Sequence, residues 1–157
     1  MTTMNRREML LAVSAMAAIS AISAEAQTKS TAETALSHST VYPFDKLPIK
    51  HSANGGASRA VLRGVLPTGE SIEMHETTLP PGQMPHPPHR HLHSELMMVR
   101  TGTLEINNDG KLESMGPGGV FLAASNVMHG IKCVGDTPAN YFVIAIGVES
   151  PSQTSAK

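Results

Sequence analysis

After residue 58 the chain is cut into short pieces. Glycine or proline returns about every 8–15 residues, and no window between these breakers carries a helix-length apolar stripe. Short strands remain. Residues 59–66, 71–79, 96–100, 103–106, 120–124, 127–134 and 141–148 read as β segments, with residues 71–79 alternating around Ile72 and Met74. Asn108-Asp109-Gly110 is a hairpin-like turn leading to Leu112. Many strands at this spacing without crossover helices predict an all-β domain, a sandwich or closed barrel. Apolar residues make up 40% of the chain, enough for a core, with three Phe, two Tyr and no Trp to make it aliphatic. With 12 Lys and Arg against 13 Asp and Glu there is no basic field for a phosphate backbone, so no nucleic-acid partner is expected.

The N-terminal part reads differently. Arg6-Arg7 precedes an apolar run from Leu10 to Ile22 that is too short to span a bilayer securely, and Ala24-Glu25-Ala26 is an A-x-A cleavage signal. Residues 1–26 are therefore expected to be a signal peptide of the twin-arginine type, exporting the protein to the periplasm or beyond and leaving no stable membrane span after cleavage. Residues 27–58 read as a linker and arm, with Tyr42-Pro43-Phe44 starting an ordered stretch. Residues 59–148 are the barrel and 149–157 a polar tail. A lone cysteine, Cys133, excludes an intramolecular disulfide.

Eight histidines stand out, five of them at 86, 89, 91, 93 and 129. His89, His91 and Glu95 are separated by even numbers of residues, so on a strand, or one with a short irregularity, they face one side. Imidazoles and a carboxylate converging inside a barrel are costly without a compensating partner, and a divalent metal supplies it. Two histidines and a carboxylate leave coordination positions open, as Fe(II) or Mn(II) sites do. A further nitrogen from His129 would leave about two positions for water, substrate or dioxygen. The competing reading is a solvated histidine-rich loop.

The segment 82–102 and the segment 118–133 together resemble the two motifs of the cupin family. The first offers Gly82, His89-Arg90-His91, Glu95 and Gly102, with six residues from Gly82 to His89 where five is usual. The second offers Gly118, Ala124-Ser125-Asn126, His129 and Cys133, keeping the spacing while Ala124 replaces Pro, Asn126 replaces Gly and Cys133 replaces Asn. Asn tolerates the left-handed conformation better than most residues. The resemblance spans residues 60–148. Glu95 is also the candidate catalytic base on its own chemistry; the resemblance implies a single-domain jelly-roll β-barrel and a metal held by His89, His91, Glu95 and His129. The ion it implies is Fe(II) or Mn(II), with Zn, Ni and Cu as alternatives. His93 is the rival ligand, or else a donor to the ligands. His86 sits at the mouth, touching substrate or solvent. Cys133 shares the interior parity of His129, either as buried apolar filler or as part of the site.

Such a site fits a mononuclear oxygenase or oxidase acting on a small organic acid, phenol or enol. Two other readings stay open: a metal-dependent isomerase, lyase or decarboxylase, and a non-enzymatic binding or sensing module. The partner expected is a small molecule. A single small barrel with edge strands also fits a homodimer.

Overall fold

Antiparallel pairing organises the whole barrel. The computed structural model describes residues 36–147, so the expected signal peptide and polar tail lie outside the described residues. Among these residues nine strands form two sheets. The larger has the order β1 (Ile49–His51), β2 (Ala57–Val65), β3 (Ser71–Leu79), β9 (Ala139–Ile146), β4 (Ser94–Thr101) and β7 (Val120–Ala123). The smaller has the order β6 (Lys111–Met115), β5 (Leu104–Asn108) and β8 (His129–Cys133). The all-β jelly-roll expectation holds. Among the described residues a one-turn 3-10 helix, Phe44–Lys46, is the only helical element.

Local chemistry explains the joints. The β5–β6 hairpin closes through Asp109 and Gly110, with φ of 51° and 89°, the left-handed pair that a tight two-residue hairpin requires. Gly102, at φ 77°, could not be anything larger: a Cβ there would come 2.5 Å from the Ala139 backbone. Strand β1 was not legible in the sequence. All three of its residues are exposed, so it has no apolar alternation to read.

The interior runs from polar to apolar along β3, β4 and β8. On the inner face β3 presents Glu73, His75, Thr77 and Leu79; β4 presents Glu95, Met97 and Val99; β8 presents His129, Ile131 and Cys133. The cross-strand register aligns these gradients, since Glu73, Ala145 and Glu95 form one row and His75, Val143 and Met97 the next. The apolar ends of these strands meet Leu104 and Ile106 of β5 in the core. Leu104 is fully buried, worth about 1.5–3 kcal/mol relative to an exposed side chain. Cys133 belongs here: it is 0% exposed, and its thiol donates to the Thr137 carbonyl at 3.5 Å.

The outer face of the large sheet is held at one end by a buried ion pair. Glu76 is fully buried and accepts from Arg59 at 2.9 Å and from the Thr78 hydroxyl at 2.9 Å. The Phe44 ring of the arm lies under two guanidinium groups, Arg59 at 4.4 Å and Arg100 at 4.5 Å, a cation–π arrangement that ties the arm to β2 and β4.

Candidate metal centre

The histidine segment is not a strand. Between β3 and β4 the chain runs irregularly, and it is pinned to β8 and its approach by backbone hydrogen bonds. Gly82 N–H donates to the Cys133 carbonyl, and Cys133 N–H donates to that of Gln83. His89 and His129 exchange two backbone hydrogen bonds of 2.9 Å, an isolated bridge. Asn126 N–H then donates to the His91 carbonyl at 2.8 Å. Asn126 itself has φ 61°, so it fills the turn position with the conformation expected of it. These bonds bring residues forty positions apart into one cluster.

Three rings converge. Their centroids lie 5.0 Å apart for His89 and His91, 4.9 Å for His89 and His129, and 4.7 Å for His91 and His129. Two of them have fixed tautomers. His91 Nδ1–H donates to the His93 carbonyl at 2.8 Å and His129 Nδ1–H to the Val127 carbonyl at 3.0 Å. Each Nε2 therefore keeps its lone pair, and both are buried without a hydrogen-bond partner, as is His89 Nδ1. Burial holds the His89 pKa below the usual imidazole range. The neighbouring His86, His129 and His91 lower it further, and Glu95 opposes them. Neutral imidazole is the form that binds metal.

These atoms fit an ion. Nitrogens each about 2.1 Å from one ion are at most about 4.2 Å apart. One ring nitrogen from each of the three histidines lies within 4.8 Å of the other two, so small ring movements close the set.

Glu95, the first inward residue of β4, borders this triad. Its Oε1 is 3.4 Å from His91 Nε2 and its Oε2 is 3.7 Å from His129 Nε2. The contact it makes as a hydrogen bond is to His93, whose Nε2–H donates to Oε1 at 3.1 Å. The His93 ring stacks on His91 at 3.6 Å and 6°. His91, His93 and Glu95 thus form a second potential ligand set sharing His91 with the first. His86 is exposed and edge-on to His89 at 4.2 Å, while Arg90 is exposed.

A cavity of about 230 Å³ opens beside the cluster, large enough for several ordered waters or a small ligand. Its wall includes Glu95, His129, His86, His75, Thr77 and Tyr141. The last three were not singled out in the sequence. Parity counted back from Leu79 would have placed His75 and Thr77 inward, whereas the alternation of Ile72 and Met74 drew attention to the opposite face. Tyr141 is almost fully buried, and its pKa is pushed well above the ordinary phenol range. Burial dominates, the Thr77 hydrogen bond opposes it, and Glu95 and Glu76 add to it. The residue stays a protonated phenol.

Comparison with known proteins agrees with the fold. Residues 75–145 match the profile of the cupin domain family. No curated protein sequence matches the chain significantly. Among solved structures, the chain is similar to an RmlC-like cupin from Shewanella frigidimarina, with a TM-score of 0.60 and 18% identity over 71% of this chain and 95% of that one. It is also similar to KdgF from a Halomonas species, with a TM-score of 0.61 and 16% identity over 73% and 99%. A predicted oxalate decarboxylase from Thermotoga maritima gives a TM-score of 0.59 and 18% identity over 69% and 100%. At these identities the likeness is one of fold.

Proposed function

We propose that this chain, which has the cupin fold and carries a cupin domain over residues 75–145, is a mononuclear metal enzyme. We assign it oxygenase or oxidase activity on a small organic acid, phenol or enol. One observation carries the reading: three clustered histidines, each with a buried ring nitrogen that lacks a partner, stand beside a cavity of small-molecule size. His89, His91 and His129 would hold the ion, with Glu95 as the carboxylate ligand and Fe(II) or Mn(II) as the ion. When bound, the ion supplies a Lewis-acid and redox centre with open positions for oxygen donors. The chain's own residues do the rest. The two carbonyls at His93 and Val127 orient the rings, His93 holds the Glu95 carboxylate, and the apolar wall of Met97, Ile131 and Val143 excludes water.

The likeness to a predicted oxalate decarboxylase supports a second reading, metal-dependent lyase, decarboxylase or isomerase chemistry in the same cavity. Metal analysis of protein recovered from its native compartment, combined with oxygen uptake across a panel of small acids, phenols and enols, separates the readings. One iron or manganese per chain with oxygen uptake supports the oxygenase. Turnover without oxygen uptake supports the second reading, and tight capture without turnover a binding module.

The same proposal includes export. Arg6-Arg7 and Ala24-Glu25-Ala26 support it, and a periplasmic product beginning at Gln27 is the expected result of fractionation and N-terminal sequencing. It also includes a homodimer, supported by exposed Met98, Val120 and Leu122 on β4 and the edge strand β7.

A further inference from the structure

The inner face of β3 carries a polar pair that the metal centre does not use. Glu73 and His75 lie two residues apart on one strand and so share a face. His75 Nδ1 is 3.0 Å from Glu73 Oε1, and the two side chains are 30% and 29% exposed. A carboxylate has no hydrogen to give, so the ring donates from Nδ1. Its other nitrogen, Nε2, keeps the lone pair. This is the arrangement by which a carboxylate orients a histidine for proton transfer and stabilises the imidazolium that results.

The pair faces the right space. His75 lines the same cavity as Glu95 and His129. Glu73, Ala145 and Glu95 form one row across β3, β9 and β4, which sets the pair roughly 10 Å from the metal centre at about 4.8 Å per strand. The residue between the two carboxylates is an alanine, so no large side chain fills the gap. A ligand a few bonds wide therefore reaches both ends. The other ionisable groups on the cavity wall are less suited to accept a proton. Tyr141 is held protonated by its burial. His86 is exposed at the mouth. Glu95 already accepts from His93, and His129 belongs to the proposed metal set.

We propose that His75 is the proton acceptor of this cavity, with Glu73 as its positioning residue, and that the ligand class it selects is the phenol or enol. This rests on the metal-enzyme reading and narrows it. A carboxylic acid arrives ionised at neutral pH and needs no acceptor, whereas a phenol, with a pKa near 10, does. In the step, the ligand O–H bond breaks and its electron pair stays on oxygen. An N–H bond forms at His75 Nε2. The imidazolium sits against the Glu73 carboxylate, and the ligand's new negative charge would be offset by an ion held at His89, His91 and His129.

The test uses the full-length protein loaded with zinc, which is redox-silent, and unsubstituted catechol as the ligand at about pH 7.5, where an ordinary imidazole is neutral and a phenol keeps its proton. Zinc is counted per chain. Proton release is measured by calorimetry in buffers of different ionisation heat. Wild type is expected to bind the catechol and release one proton fewer to buffer than His75→Gln. His75→Gln should keep its zinc and bind roughly tenfold more weakly. In Glu73→Gln, nitrogen NMR should show His75 losing its preference for the Nδ1–H tautomer. Equal proton release and equal affinity in wild type and His75→Gln overturn the proposal, as does the one-proton difference appearing in His86→Gln instead. Failure of the zinc-loaded wild type to bind catechol overturns the phenol assignment. A wild type that holds no zinc overturns the metal-centre reading, and this proposal with it.

Discussion

The two faces of the six-stranded sheet invert the usual order at one end of the barrel. The inner face there carries Glu73, His75 and Glu95, while the outer face carries a row of four apolar residues, Met74, Ile144, Leu96 and Leu122, set side by side by the register. At the other end the inner face is ordinary core, with Leu79 and Val99 buried, and the outer face holds the Arg59–Glu76 pair under Phe44. A half-buried sheet normally alternates apolar-in and polar-out. Polar groups converge inward only where something offsets their desolvation, and so the inverted end is where the chemistry is expected. The outward apolar row asks for cover of its own.

Four substitutions or conditions break or sharpen this contrast. The largest stability effect belongs to the outer face. Arg59→Ala leaves the Glu76 carboxylate buried without its partner, and chemical denaturation should show a loss of about 3–5 kcal/mol. His93→Phe keeps the stack on His91 but removes the donor to Glu95. Metal affinity, followed by competition with a chelator, should fall about 10–100-fold with the fold unchanged. Acidification is next. The folded His89 has a lowered pKa, so as pH falls through the ordinary histidine range near 6.5 the unfolded chain takes up more protons than the folded one. Stability of the metal-free protein should therefore decline from neutral to mildly acid pH, and His89→Gln should flatten that slope in thermal unfolding. The smallest stability effect is that of Leu122→Asp at an exposed position, within about 0.5 kcal/mol for the monomer. Its readout is sedimentation velocity, where the variant should run as a monomer and wild type as a dimer.

How much of this was readable beforehand depended on which physical signal each residue leaves. The strands were legible because breakers separate them and tight turns need Asn, Asp or Gly at positive φ, as at Asp109 and Gly110. The clustering of His89, His91 and His129 was legible through the spacing of two motifs, although the geometry that achieves it was not. Parity on a strand predicted that His89, His91 and Glu95 share a side. In the structure only Glu95 lies on a strand, and the histidines are placed by backbone bonds from the irregular segment to β8 and to Asn126. Long-range hydrogen bonds leave no periodicity. The Glu73–His75 pair was hidden for a different reason. It lies on the polar side of an alternating strand, which ordinarily faces water, and only its partners in the sheet turn that side inward. Phe44 was readable as the start of an arm but not as the ring between two arginines that are 41 positions apart.

The central claim is that the inverted end of the barrel holds one divalent ion through its buried imidazoles. Titration of the metal-free protein with Mn(II), followed by thermal unfolding, tests it most directly. Wild type should bind one ion per chain and gain about 2.7 kcal/mol of stability at a hundred times its dissociation constant, while His91→Ala, folded to the same degree without metal, should gain almost nothing at that concentration. An His91→Ala variant that binds and is stabilised as wild type is would contradict the account.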